Sequence, residues 1–161
     1  MRIIPFTKMS GAGNDFMLVD NRENLLREGE ASKLAQIACP QHTSVGADGI
    51  ILVEKASKSG HDYRMRIFNA DGSEAEMCGN GSRCVAVFAC QIGAAKEKQR
   101  IETLAGSLAA IAATDGLSAK VQLSPPSKME LKKNVDVLGQ KCDLYFINTG
   151  VPHAVLFVPE R

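Results

Sequence analysis

The residues best suited to chemistry gather in one stretch, Asn69-Ala-Asp-Gly-Ser-Glu-Ala-Glu-Met-Cys-Gly-Asn-Gly-Ser-Arg-Cys84. Its first residues are turn formers, since Asn, Asp, Gly and Ser supply positive φ values and local side-chain bonds. From Arg83 onward, Val85, Phe88 and Ile92 recur at helical spacing and mark one apolar stripe. Cys78 is therefore expected just ahead of a helix N-terminus. There the first amides lack an intrahelical partner and carry partial positive charge, which eases loss of a thiol proton. The glycines on either side of Asn80 let backbone approach a ligand closely. Free amides in that place also receive a carboxylate or phosphate. An acid–base thiol and an anion cradle thus share a few residues. Most cysteines in reduced proteins are only small hydrophobes, and Cys84 and Cys90, inside the helix, read that way.

The whole stretch resembles the first catalytic-cysteine motif of the diaminopimelate epimerases. That family inverts one α-carbon of diaminopimelate with two cysteines and no cofactor. The resemblance implies Cys78 as a catalytic residue and Asn69, Gly79 and Asn80 as substrate-binding residues. Ser10-Gly-Ala-Gly-Asn-Asp-Phe16 by itself reads as a hairpin, and no helix follows it to complete a dinucleotide fingerprint. A Gly-x-Gly-Asn-Asp-Phe loop is characteristic of the family, however, and Asn14 holds the place of its substrate-contacting Asn. Val45-Gly-Ala-Asp-Gly49 is similar too, although some members have Gln where this chain has Gly49. Asn148-Thr-Gly-Val-Pro-His153 matches a third segment. A histidine between two strands is more often a satisfied core group, but family position implies a site role for His153. Many members have a substrate-binding Asn where this chain has Val151.

Placing these groups falls to many short strands and few helices. A strand over 3–9, a glycine-rich loop and a strand over 17–20 open the chain. A surface helix is expected over 24–38, ended by Cys39-Pro40. His42 reads as a solvated loop residue. Ile50–Val53 and 63–68 read as strands, the second with Tyr63, Met65 and Ile67 on one side. The charged run 96–100 reads as a solvated turn, followed by strands over 101–104, 107–113 and 120–123. Ser124–Lys128 is a linker signal. A weak strand over 135–138 and a strand–turn–strand over 143–158 complete the pattern.

Composition narrows the function classes. A formal net charge of +1 with no long basic block argues against nucleic acid or an anionic membrane as partner. No run approaches the about 18 apolar residues of a membrane span, and the N-terminus lacks a signal-peptide pattern. Five cysteines without a Cys-x-x-Cys pair argue against a disulfide scaffold or a structural zinc. Cys78, Cys84 and Cys90 each rotate about 120° from the last along a helix, so they do not converge on one ion. A reducing cytoplasm is the expected setting.

The resemblance implies an α+β fold, a curved and mainly antiparallel sheet wrapped around a central helix. A first lobe over 1–117 would carry Cys78, and 118–161 would begin a second, incomplete lobe. Family members continue through that lobe, which supplies a partner cysteine in an Ala-Cys-Gly segment; this sequence stops at Arg161 without one. The chain is thus expected to be the N-terminal portion of a diaminopimelate epimerase, inactive alone, with no cofactor or metal. Its partners would be diaminopimelate, the missing second lobe and a second copy in a homodimer. Two other readings stand beside it. Proline racemases and hydroxyproline epimerases are similar two-cysteine enzymes, but they usually carry Cys-Gly-His where this chain has Asn80. A half-fold that binds an amino acid without turning it over is the third.

Overall fold

Thr7–Gly11 (β1) and Asn14–Asp20 (β2) pair antiparallel across Ala12-Gly13, whose φ values of 51° and 91° are both positive. That is the twist a two-residue hairpin requires, and glycine adopts it without strain. The computed structural model describes residues 2–123, 125–149 and 152–158. Contacts divide the chain into two units, Met1–Gln122 and Leu123–Arg161.

The first unit is an α+β lobe. Its other strands are Gly49–Glu54 (β3), Tyr63–Asn69 (β4), Glu74–Ala75 (β5), Lys98–Thr103 (β6), Gly106–Ala112 (β7) and Ala119–Gln122 (β8). Together they form one eight-stranded sheet of order β1-β2-β3-β4-β6-β7-β8, with β5 paired to β4. Pairing is antiparallel except between β2 and β3 and between β4 and β6. The helix Gly79–Gln91 (α2) packs against β1 and β8, the two ends of that order, and against β2, β3, β4 and β7 between them. A sheet whose far ends reach the same helix is curled around it.

Alternation decides which side chains meet that helix. Phe16, Leu18, Ile51, Val53, Tyr63, Met65 and Ile67 pack with Val85, Phe88 and Ala89 of α2. Their neighbours Met17, Val19, Ile50, Leu52 and Phe68 face the other way, onto the helix Glu30–Ala38 (α1). The central strands are therefore apolar on both faces. Burying a Leu, Ile or Phe of this kind stabilises by about 1.5–3 kcal/mol, so α2 is pinned by its whole inner stripe.

Some expectations change. The helix expected over 24–38 begins at Glu30. The buried Asn21 side chain accepts from the Leu26 amide at 2.7 Å and donates to the Leu26 carbonyl at 3.1 Å, holding 21–26 in a turn. Gly29 at φ 77° then starts the helix. The charged run 96–100 is not simply a solvated turn, because β6 begins at Lys98. Gln99 is buried and takes the Tyr63 hydroxyl at 2.8 Å, which draws this polar residue into the sheet.

In the second unit, Ser127–Val137 (β9), Gln140–Asn148 (β10) and Pro152–Val155 (β11) form an antiparallel sheet of order β11-β10-β9. β9 is much longer than the strand expected over 135–138. Leu138 and Gly139, at φ 52° and 83°, make its tight turn into β10. β8, placed by the sequence in the second segment, pairs along β7 in the first.

Candidate active site

Cys78 is the N-cap of α2, with extended backbone at φ −141° and ψ 120°. Its carbonyl accepts the first intrahelical bond, from the Ser82 amide at 2.8 Å, and the Ser82 hydroxyl at 2.8 Å. Its sulfur accepts from the Gly81 amide at 3.4 Å. Gly79 and Asn80 precede the first intrahelical bond, so their amides need partners from outside the helix. A cap is ordinarily Ser, Thr, Asp or Asn. A cysteine there departs from local preference, and such departures concentrate at functional sites.

Three other loops arrive beside this helix start. The Asn80 side chain donates to the Asn14 carbonyl oxygen at 2.8 Å, joining α2 to the start of β2. Asn14 in turn donates to Asp48 Oδ2 at 3.0 Å, and the Asp15 amide donates to the same oxygen at 2.9 Å. The Asp48 carbonyl accepts from the Ala70 amide at 3.2 Å, which ties in the turn after β4. Asn69 opens that turn and donates to Ser73 Oγ at 3.0 Å. Arg83, one turn into α2, donates to Asn80 Oδ1 at 2.7 Å.

Of the residues expected at the site, Asn14, Asn80, Gly79 and Cys78 are thus adjacent, and Asn69 joins them through Ala70 and Asp48. His153 lies in the second unit, exposed on β11, with Nε2 2.9 Å from Thr149 Oγ1. Val151 lies outside the described residues. Gly49 is closed to any side chain, because a Cβ there would stand 2.6 Å from the Phe68 carbonyl oxygen. The Gln of some family members therefore has no room at that position in this chain. Asp48 and Arg83 were not singled out from sequence, although both lie inside the motifs quoted above. Their signal was a charged residue close to glycines in each motif.

The charges around the site have clear causes. Hydrogen bonds from Asn14 and the Asp15 amide hold the Asp48 carboxyl below its usual value, with Lys8 adding to the effect. Burial pushes the Cys84 thiol up, and Cys78 adds to the shift. Burial does the same to Cys39, with Asp48 contributing. Cys84 is buried and Cys78 half-buried, and all five cysteines are free. Among the described residues no His, Cys, Asp and Glu side chains gather into a group that could hold a metal ion. Among the same residues no helix is long and apolar enough to cross a membrane.

A family model described as diaminopimelate epimerase matches residues 6–129. The diaminopimelate epimerase of Aquifex aeolicus is 46% identical over 161 residues, covering 96% of this chain and 57% of that relative. That of a Hydrogenobaculum species is 45% identical over 163 residues, with the same shares. The chain thus spans little more than half the length of these relatives. Among solved structures, a probable proline racemase from Agrobacterium radiobacter superposes with a TM-score of 0.69 at 18% identity, over 96% of this chain and 52% of that one. A hydroxyproline epimerase from Agrobacterium vitis gives 0.68 at 15% identity, with the same shares. At these identities the structural likeness speaks for the fold.

Proposed function

The chain belongs to the diaminopimelate epimerase family, and from that premise we propose that it carries the Cys78 half of a two-thiol, cofactor-independent epimerase site. The substrate is diaminopimelate, interconverted between its L,L and meso forms at one α-carbon. The observation that carries the reading is the placement of Cys78 as the cap of α2, beside the Asn80–Asn14 junction.

The α-proton of an amino acid is weakly acidic, and no electron sink is needed if two opposed groups act together. Cys78 as thiolate takes the proton from one face, while a thiol opposite returns one to the other face and inverts the configuration. The unpaired amides of Gly79 and Asn80 hold the substrate carboxylate, into which the carbanion's charge spreads at the transition state. Asn14 and Asn69 complete the polar wall. His153 also has a site role in this reading, and the opposing thiol comes from the part of the relatives' length that this chain does not span. Cys84, buried against the strands, is not that group. A reducing cytoplasm keeps both sulfurs competent.

An epimerisation assay tests this. The chain alone should not interconvert the L,L and meso forms, and adding the C-terminal part of a curated relative should restore turnover. Cys78→Ala should then abolish it. Epimerisation that survives Cys78→Ala removes this residue from the mechanism.

A further inference from the structure

Four side chains from three separate segments form one directed line. Arg83 Nη1 donates to Asn80 Oδ1 at 2.7 Å, Asn80 Nδ2 donates to Asn14 Oδ1 at 2.8 Å, and Asn14 Nδ2 donates to Asp48 Oδ2 at 3.0 Å. The line begins on a guanidinium, which can only donate, and ends on a carboxylate, which when ionised can only accept. Asparagine amides have no such preference, since each offers a donor end and an acceptor end of nearly equal shape.

We propose that Asp48 and Arg83 are positioning residues, opposite charges that set the direction of this hydrogen-bond line and so fix which way the Asn14 and Asn80 amides face. Turning Asn80 alone sets its NH2 against the guanidinium and its oxygen against the Asn14 oxygen. Turning Asn14 alone opposes its NH2 to that of Asn80 and its oxygen to the Asp48 carboxylate. Turning both repairs the middle bond but leaves a donor facing Arg83 and an acceptor facing Asp48. Only the observed sense satisfies every contact. The Asp48 end is itself held, because Asp48 also accepts from the Asp15 amide at 2.9 Å, donates its own amide to the Asp15 carbonyl at 2.8 Å and accepts from the Ala70 amide at its carbonyl. Charged ends polarise the amides between them, so each bond strengthens the next.

The consequence rests on the epimerase reading, although the line itself does not. Each amide keeps one N–H and one oxygen lone pair for a ligand, each on a fixed side. That is a matched set for the carboxylate and ammonium of an α-amino acid, and a freely turning amide would present it only part of the time.

Side-chain NH2 resonances of Asn14 and Asn80 in 15N-labelled chain, recorded without ligand, test the line. Asp48→Ala should shift the Asn80 pair, which Asp48 does not touch, and Arg83→Met should shift the Asn14 pair. In an Asn14→Ala background, Asp48→Ala should leave the Asn80 pair where it was. An Asn80 pair unmoved by Asp48→Ala, with the backbone spectrum otherwise intact, would overturn the proposal. So would an equal shift in the Asn14→Ala background, which would mark a through-space field. Arg83 is exposed on α2 and its replacement tests the same line from the other end if the Asp48 variant loses its fold. Titration with meso-diaminopimelate then separates the two ideas. Failure of the complemented enzyme to bind it, with the coupled shifts present in the chain, rejects the substrate and leaves the line standing.

Discussion

At Cys78 the needs of the helix and the needs of the chemistry can be separated by one atom. Serine is the better cap, because its oxygen accepts from a first-turn amide more strongly than sulfur does at 3.4 Å. Cys78→Ser should therefore leave unfolding stability within about 1 kcal/mol of wild type, or raise it, while abolishing epimerisation. Denaturant unfolding and an activity assay of the complemented enzyme read the two outcomes; a large loss of stability would make Cys78 a packing residue. Exposure makes a second prediction at the same scale. Cys39 and Cys84 are buried, with thiols pushed up by burial, whereas Cys78 is half-buried at a helix start. Iodoacetamide near neutral pH should label Cys78 first by peptide mapping, and earlier labelling of Cys84 or Cys90 would contradict this. The position of Cys78 was legible because turn formers followed by helical periodicity mark a helix start. The parts of Asp48 and Arg83 were not, since their bonds join segments that only the folded sheet brings together.

Elements bring the loops of the site within reach, and one close approach is between β1 and α2. A Cβ on Gly11 would stand 2.8 Å from the Asn80 carbonyl oxygen and 2.7 Å from Cys84 Sγ. The carbonyl belongs to the first turn of α2 and cannot swing aside. Gly11→Ala should cost about 1–3 kcal/mol in denaturant unfolding and displace Asn80 from Asn14; a variant as stable as wild type would show that the approach is looser. Gln99 fastens the middle of the helix, with Nε2 2.8 Å from the Ala86 carbonyl and Oε1 taking the Tyr63 hydroxyl. The alternation of 63–68 and the stripe of Val85 and Phe88 foretold which faces meet. The late start of α1 and the early start of β6 were hidden, because each depends on the bonds of a buried amide side chain, Asn21 to Leu26 and Gln99 to Tyr63 and Ala86, which sequence periodicity does not show. The two-residue β5 depends entirely on pairing with β4 and leaves no periodicity to read.

Across the whole molecule, several carboxyls titrate lower in the fold than free. Asp20 is lowered by its hydrogen bond from Arg22, and Asp48 by those from Asn14 and Asp15. Burial works against ionised Glu102, but the hydrogen bonds of Ser57 and Lys58 outweigh it and leave this group lowered too. A depressed carboxyl stabilises the fold above its unfolded value and loses that stabilisation as pH falls through its folded value. Thermal stability should thus hold above about pH 5 and decline below the free values of 3.8 for Asp and 4.5 for Glu. A melting temperature constant down to about pH 3 would contradict this. The two-thiol transfer itself is tested most directly by where solvent deuterium enters diaminopimelate in D2O, early in the reaction of the complemented enzyme. Opposed thiols deliver deuterium to the α-carbon of the newly formed epimer and leave the unconverted substrate in protium form, and Cys78→Ser removes the label from both. Early deuterium in unconverted substrate equal to that in the product, or labelling that persists in Cys78→Ser, would contradict a site in which Cys78 serves one face alone.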